Sequence, residues 1–416
     1  MSDWNVTLRE PEGGSNIAAG EVLELLASLV DKNLVVGEGD RYRMLETMRQ
    51  YGRGRLNDTG EAEAIRALHA ACFLALAEEA EPHLTGSDQR SWLERLDSEH
   101  DNLRAALEWS LMDKDEGGRQ KDDTGAPNAI HPSSLIPRPS ELGLRLGGVA
   151  CRFWYVRGHF GEGRRRLSLA LERPGAEGHC SERAKALTGA GNLANRQGDY
   201  MAARVLYEES LEIRRELADR DGIAGSLNNL GNVAHDEGDY PAARALFEES
   251  LVICRELGDR NGIAGSLGNL GNVASDEGDY PAARALLEAS VAMMRELGDR
   301  HGIAVSLNNL GNVAYAEGDY PAARGLYAES LAIRTELGDR HGIAYSLEGL
   351  GRLAWAAGSP GRAARLWEAS ESLREAIGAP LAPVDQATHD RERAAVRDAL
   401  GEAAFDSAFN EGRAMT

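Results

Sequence analysis

Apolar residues recur with helical spacing throughout residues 140–379, and glycine interrupts the pattern about every twenty residues. In one stretch Ile263, Leu267 and Leu270 fall at positions i, i+4 and i+7, which places them on one face of a helix. Because glycine is costly inside a helix, the regular breaks exclude a continuous coiled coil. The pattern therefore predicts pairs of short amphipathic helices.

Local signals mark where these helices begin and end. Asp259 precedes the apolar run, where its carboxylate can accept hydrogen bonds from free backbone N–H groups of the first turn. Gly278 follows the run, at a place where the chain often needs the left-handed conformation that glycine tolerates. Pro281 then falls in the first turn of a second helix, where its missing N–H costs nothing. Each unit is thus expected to hold two helices.

A forty-residue period organises this half of the chain. Three motifs repeat with that step: Gly-Asp-Tyr, Asp-Arg-x-Gly-Ile-Ala and Leu-x-x-Leu-Gly-Asn. Six units fit between 140 and 379, with the outer ones degenerate, and Gly-Asp-Tyr marks four of them at 198–200, 238–240, 278–280 and 318–320. A period of this length is typical of stacked helical repeats. We therefore predict an all-α solenoid of about six helix hairpins.

The repeats resemble tetratricopeptide (TPR) units in an extended form. The pattern of that family appears in the unit that carries Leu227, Leu230-Gly231, Tyr240, Ala243, Phe247 and Ser250. The usual closing proline is missing, and the first and last units depart from the pattern. The resemblance implies that the first helix of each unit lines the concave wall of a superhelix.

The first half of the chain has a different pattern of residues. A helical run at 21–30 precedes two short apolar runs at 34–36 and 41–45, which flank a glycine turn and predict a β-hairpin. A further helix is expected over 47–56. We divide the chain into a disordered head (1–20), a winged-helix-like unit (21–60), a helical arm (61–112), a flexible linker rich in charge and proline (113–139), the TPR-like array (140–379) and C-terminal capping helices (380–416).

Three segments together resemble one family. Residues 29–51 are similar to the winged-helix region of bacterial signal-transduction ATPases, the STAND group that includes LuxR-type transcriptional regulators. Residues 100–109 resemble the arm that follows, and residues 399–414 resemble the segment that closes the repeats. The chain contains no Gly-Lys dipeptide and hence no phosphate loop. The resemblance therefore implies a regulatory half, with a nucleotide-binding ATPase domain expected in trans.

Composition narrows the function. Among 416 residues the net charge is -21, which disfavours binding to nucleic acid. The four cysteines are scattered, and the sequence shows neither a signal peptide nor a membrane span, so we expect a soluble, cytoplasmic protein without a membrane partner. Residues 189–194 fit a loose dinucleotide pattern but lie within a predicted helix. We find no catalytic constellation and no metal-ligand spacing, so we expect no enzyme activity, cofactor or metal.

Polar side chains form a second stripe on the first helices, beside the apolar one. An amide offers both a donor and an acceptor, so a ladder of amides can bind the backbone of an extended peptide. The resemblance implies the same role, because asparagines at matching positions in similar adaptors grip a peptide. The candidate ligand-binding residues are Asn192, Asn195, Asn228, Asn229, Asn232, His235, Asn269, Asn272, Asn308, Asn309, Asn312, Tyr315 and Arg352.

Alternatives remain open at this point. The asparagines could instead tie neighbouring repeats together. The three central repeats (220–339) carry 19 Asp and Glu against 9 Arg, which would favour a basic partner segment if the acids line the groove, or which could simply be the solvated convex face. We expect a non-enzymatic scaffold that binds a peptide or protein segment in bacterial signalling or transcriptional regulation. The alternative is an effector-sensing half of a STAND-type ATPase that binds a small ligand.

Overall fold

The computed structural model describes residues 19–38, 41–112 and 137–415. The head predicted at 1–20 and the linker predicted at 113–139 lie outside the described residues, apart from positions 19–20 and 137–139. The chain divides into two compact units, one made of residues 1–71 and 114–137 and the other of 72–113 and 138–416.

The first unit contains a helix, a hairpin and a second helix, in the predicted order. Helix α1 spans Ala19–Asp31, and the antiparallel strands β1 and β2 span Val35–Glu38 and Arg41–Met44, with Val36 opposite Arg43. Helix α2 spans Glu46–Thr59 and is longer at both ends than predicted. It ends at Gly60, whose left-handed backbone (φ 74°) lets its N–H bond the carbonyls of the last turn.

The second unit opens with the helical arm. Helix α3 (Ala62–Ala80) crosses the boundary between the units, and a 3₁₀ helix (Glu81–Thr85), α4 (Gln89–Ser98) and α5 (His100–Leu111) follow it. Leu93 of α4 and Leu107 of α5 are buried because each lies on the apolar side of its short helix. The predicted arm is therefore a set of short packed helices.

Twelve helices in six antiparallel hairpins form the repeat array, as the forty-residue period predicts. Each hairpin packs its two helices together and then stacks on the next hairpin. In pairs, the helices are α6 (Pro139–Arg157) with α7 (Phe160–Leu171), α8 (Ser181–Arg196) with α9 (Tyr200–Glu216), α10 (Arg220–Asp236) with α11 (Tyr240–Leu257), α12 (Arg260–Asp276) with α13 (Tyr280–Leu297), α14 (Arg300–Ala316) with α15 (Tyr320–Leu337), and α16 (Arg340–Ala356) with α17 (Pro360–Ile377). Helices α18 (Pro383–Leu400) and α19 (Glu402–Arg413) follow the array.

The predicted helix boundaries are confirmed in the structure. The Asp259 carboxylate accepts hydrogen bonds from the backbone N–H groups of Asn261 and Gly262 at the start of α12. Gly278 has φ 84° between α12 and α13, and Pro281 lies in the first turn of α13. Local chemistry therefore sets the length of each helix.

In the five hairpins from α8 to α17, close approach of the paired helices depends on a glycine and a serine at matching positions. A Cβ placed on Gly231 of α10 would lie 2.5 Å from the ring of Phe247 in α11, so only glycine fits there. Ser250 of α11 is buried, and its hydroxyl donates to the Ala224 carbonyl of α10 at 2.9 Å. The same bond recurs for Ser210, Ser290, Ser330 and Ser370. These contacts hold together the five hairpins from α8 to α17.

The superhelix curves enough for the start of the array to reach its end. Arg157 at the end of α6 donates a hydrogen bond to the Leu337 carbonyl of α15 and lies 2.5 Å from the Asp97 carboxylate of α4. Gly158 packs against Ile377 of α17. The inner wall, which the first helices α8, α10, α12, α14 and α16 form, therefore encloses a narrow interior. We call this interior the groove.

Candidate binding groove

The predicted site residues all lie on the first helices of the hairpins. Each side chain is half-buried apart from that of Asn308, which is buried. Several of them bridge neighbouring hairpins: Asn195 donates to Asp236 at 3.1 Å, and Asn269 donates to Asn228 at 3.0 Å. The structure thus brings amides of successive repeats together along one wall, and some of them link repeats directly.

Other amides pair within or across hairpins. The Tyr207 hydroxyl donates to the Asn192 carbonyl oxygen at 2.8 Å, and the Tyr327 hydroxyl donates to that of Asn312 at 2.7 Å. Asn308 accepts a hydrogen bond from the Ser346 hydroxyl at 3.2 Å. These three amides contribute to packing, which is the alternative role that the sequence left open.

Four amides differ from the rest. Within the described residues, the side chains of Asn229, Asn232, Asn272 and Asn309 have no hydrogen-bond partner. The reason is visible for Asn232 and Asn272. Phe247 and Leu287 lie opposite these two amides, in the places that tyrosine occupies opposite Asn192 and Asn312. These half-exposed amides keep both donor and acceptor available to a ligand.

His235 is part of a charged link between repeats. Its Nε2 lies 2.7 Å from the Asp276 carboxylate of the next repeat, and its Nδ1 lies 3.6 Å from Asp236. Burial alone would lower the pKa of His235, but the two nearby aspartates outweigh it and raise the pKa to about 9. The ring is therefore protonated at neutral pH and holds α10 to α12.

Helix α18 lies in the groove, which the sequence did not reveal. Its Glu392 carboxylate is 3.4 Å from Nε of Arg352 in α16, and its His389 Nε2 is 3.3 Å from the Glu348 carboxylate. Pro380, in the segment before α18, packs on Gly198 at the end of α8. The predicted ligand residue Arg352 thus already contacts a carboxylate of this chain.

A buried polar cluster supports that contact. Arg374 of α17 donates to Glu348 at 2.7 Å, and its guanidinium lies 4.3 Å from the ring centre of Tyr345. His341 is buried beside them; burial, followed by the nearby arginines, lowers its pKa well below the usual range. Arg196 contributes to that field and lies over the Tyr155 ring at 4.6 Å. The interior of the superhelix is therefore polar and carries several arginines.

Two cavities adjoin α18. The larger, of about 420 Å³, is lined by residues of α17, of the segment after it and of α18, among them Trp367, Arg374 and His389. The smaller, of about 30 Å³, brings Asn195 of α8 and Tyr345 of α16 together beneath Ala382. Residues from distant repeats therefore meet at the base of α18.

Many of the acids in the central repeats pair with arginines of neighbouring elements. Two sets recur along the chain with the period of the repeats. They are Arg204 with Glu237, Arg244 with Glu277 and Arg284 with Glu317, and then Arg220 with Glu256, Arg260 with Glu296 and Arg300 with Glu336. The first set joins successive hairpins and the second joins the two helices of one hairpin, so these glutamates take part in packing and do not form a purely acidic groove wall.

The side chains that α18 turns towards the wall were not predicted from the sequence. Asp385, His389, Glu392 and Val396 follow at steps of four, three and four, the spacing of one helix face. That spacing was a usable signal, but the side chains are mostly polar, so the face does not stand out as a packing surface. In the described part of the chain no three His, Cys, Asp or Glu side chains converge on a possible metal position.

None of the helices in the described ranges has the length and apolar character needed to span a bilayer.

A sequence profile of the tetratricopeptide repeat matches residues 182–256, 222–296, 262–336 and 302–376. Over 107 residues the chain is 40% identical to proteins of Mycobacterium bovis and Mycobacterium tuberculosis named as HTH-type transcriptional regulators. That match covers 25% of this chain and 12% of the relative, so the chain spans about an eighth of those proteins.

Two solved structures are similar in fold. A Rap protein complexed with competence and sporulation factor superposes with a TM-score of 0.50 and 14% identity, over 85% of this chain and 95% of that one. A signal transduction ATPase with numerous domains and a tetratricopeptide repeat sensor, from Pyrococcus horikoshii, gives a TM-score of 0.48 and 14% identity over 89% of this chain and 47% of that one. The structure shows six stacked hairpins, and the profile matches residues 182–376. These residues are therefore tetratricopeptide repeats stacked into an α-solenoid.

Proposed function

We propose that the groove binds a polypeptide segment of a partner protein, and that the chain is a non-enzymatic scaffold in bacterial signalling or transcriptional regulation. One observation carries the proposal. Asn229, Asn232, Asn272 and Asn309 extend over three successive repeats, and within the described residues their amides have no partner. A row of amides with free donors and acceptors can pair with the N–H and C=O groups of a guest backbone.

Two comparisons support the regulatory setting. The Rap protein with the same fold was crystallised with competence and sporulation factor, and the mycobacterial relatives are named as transcriptional regulators. The predicted winged-helix-like unit and an ATPase acting in trans would fit such a role. A partner that also carries the ATPase would be held by the repeats while the first unit contacts another surface.

The test begins with a probe of known chemistry. A phage-displayed peptide library is selected on the full chain, and enriched peptides are labelled and titrated by fluorescence anisotropy. Substituting both Asn232 and Asn272 by alanine should weaken binding by roughly tenfold or more, because each lost hydrogen bond is worth about 0.5–1.5 kcal/mol.

The matched control replaces Asn228 and Asn269, whose amides already bond each other at 3.0 Å. This pair should lower the melting temperature and leave peptide affinity nearly unchanged. Failure to enrich any peptide, or equal affinity for wild type and the Asn232/Asn272 variant, would refute groove binding.

A small-effector sensor is the second candidate function, and the larger cavity favours it. Its volume of about 420 Å³ falls in the range of ligand pockets, and Arg374 and His389 converge on it with Trp367. Thermal-shift screening with a metabolite library tests this role. A stabilising compound whose effect is lost in Trp367→Ala, but retained in Asn232→Ala, would support the sensor.

A further inference from the structure

Helix α18 is held in the groove mainly by charged side chains. Its described residues include two buried side chains, His389 and Val396. Val396 belongs to an apolar cluster with Trp367 and Phe405, so the C-terminal half of α18 packs with α19 as a cap. The N-terminal half instead presents Asp385, His389 and Glu392 to the wall.

The contacts of that N-terminal half are incomplete. Nε of Arg352 and Oε2 of Glu392 are buried and face each other at 3.4 Å, yet neither atom forms a hydrogen bond in the described structure. Nδ1 of His389 and Nη1 of Arg374 are also buried without a hydrogen-bond partner. Buried polar atoms without partners destabilise a contact, so this docking is weaker than the number of charged groups suggests.

One carboxylate of α18 is half-buried in the groove. Burial raises the pKa of Asp385; Arg352, the strongest nearby charge, acts in the opposite direction, while Glu348 and Asp276 add to the rise. The Asp385 carboxylate in turn adds to the rise that burial causes in the pKa values of Tyr200 and Tyr240 of the wall. Docking therefore costs this acid hydration, whereas Glu392 directly faces an arginine.

We propose that the N-terminal half of α18 is an exchangeable internal occupant of the groove, and that the partner which displaces it is a helical segment with a carboxylate facing Arg352. This inference rests on the proposed function, since it names the chemistry of the segment that the groove binds. Removing α18 uncovers Arg352 and Arg374 together with Tyr345. A guest that keeps the Glu392 contact and leaves fewer buried polar atoms without hydrogen bonds competes successfully.

The experiment uses the full chain and a fluorescein-labelled synthetic peptide with the sequence of residues 383–400. Glu392→Arg places a cation against Arg352 and should release α18, so that the peptide binds about tenfold more tightly than to wild type. Asp385→Asn should act in the opposite direction and reduce peptide binding several-fold. Asp398→Arg is the matched control, since it makes the same change of charge on the exposed side of α18.

Hydrogen–deuterium exchange on the same variants reports docking directly. Amides of residues 384–392 should exchange faster in Glu392→Arg and more slowly in Asp385→Asn, while those of α16 and α17 stay protected. Glu392→Gln provides a milder variant if the arginine unfolds the end of the array. Unchanged exchange and unchanged peptide binding in all three variants would overturn the proposal.

The two proposals fail in distinguishable ways. If library peptides depend on Asn232 and Asn272 but ignore the Glu392 and Asp385 variants, the groove binds segments and α18 is a permanent part of its wall. If the 383–400 peptide responds to those variants while no library peptide depends on the amides, α18 is exchangeable and the proposed function is wrong.

Discussion

Replacing Phe247 by tyrosine should add one hydrogen bond to the third hairpin. In the two hairpins with tyrosine at the equivalent position, the hydroxyl donates to the asparagine fifteen residues earlier, at 2.8 Å for Tyr207 and 2.7 Å for Tyr327. The Phe247 ring occupies the same place: a Cβ on Gly231 would lie 2.5 Å from its Cε1, as one on Gly191 would from that of Tyr207. The new hydroxyl would therefore meet Asn232.

The size of the gain follows from the burial of the ring. Phe247 is 1% exposed and Tyr207 is 2% exposed, so the substitution needs no rearrangement of the wall. A hydrogen bond between neutral groups contributes about 0.5–1.5 kcal/mol to the free energy of unfolding. For a domain of this size, 1 kcal/mol raises the melting temperature by roughly 2–4 °C.

A double-mutant cycle provides the assay. The unfolding of wild type, Phe247→Tyr, Asn232→Ala and the double variant is followed by calorimetry and urea denaturation, and the coupling energy is compared with the expected value. The stabilisation should disappear when Asn232 is alanine, because a buried hydroxyl without an acceptor is costly. An equal gain in both backgrounds, or no gain in either, would refute the assigned contact. Phe247→Tyr should also weaken peptide binding, since it occupies the amide oxygen.

Gly231→Ala should destabilise the protein by about 1–3 kcal/mol because its Cβ would clash with Phe247, whereas Gly225→Ala in the same helix meets open space and should stabilise it by up to about 1 kcal/mol, both measured by urea denaturation. Asp259→Ala removes the cap of α12 and should cost about 1 kcal/mol in the same assay, with Asp259→Asn nearly neutral. Burial opposes ionisation of Glu162, but hydrogen bonds from Arg104 and Arg166 outweigh it and lower its pKa to about 2. The contribution of Glu162 to the free energy of unfolding, up to roughly 3 kcal/mol, is therefore complete above pH 4.5 and lost as the pH falls towards 2. Glu162→Gln should reduce the pH dependence of the free energy of unfolding across that window.

The repeat array could be predicted because its signals are local. The period, the aspartate caps and the glycine breaks act within a few residues of the helices they define, as at Asp259 and Gly278. The hairpin near the start was also predictable from two short apolar runs around a turn. Sequence spacing alone therefore recovers the helices and their order.

The pairing of four equivalent amides depends on a second position in the sequence. The side chain fifteen residues later is tyrosine after Asn192 and Asn312, which are paired, but phenylalanine after Asn232 and leucine after Asn272, which are not. The sequence contains that difference, but its effect on the hydrogen bonding of the amide follows only from the structure, in which the ring and the amide lie side by side.

The docking of α18 could not be predicted. It depends on the curvature of the superhelix, which brings α8 and α16 close enough for residues 380–382 to touch both. Curvature arises from small rotations summed over all repeats, so no single motif encodes it. The polar face of α18 gave no apolar stripe that would have indicated a packing partner.

The position equivalent to Asn232 in successive repeats is Asn272, then Asn312, and finally Arg352. The amides can pair with the backbone of any guest, so they contribute affinity without selecting a sequence. Arg352 ends the series with a charge, and in this structure a glutamate of α18 faces it at 3.4 Å. Under the proposed function, a guest that follows the wall would be fixed in register by its carboxylate at this end. The amides would then supply affinity along the groove, and Arg352 would supply specificity at one end. Substitutions at Arg352 should alter the sequence preference for bound peptides more than the number of peptides that bind.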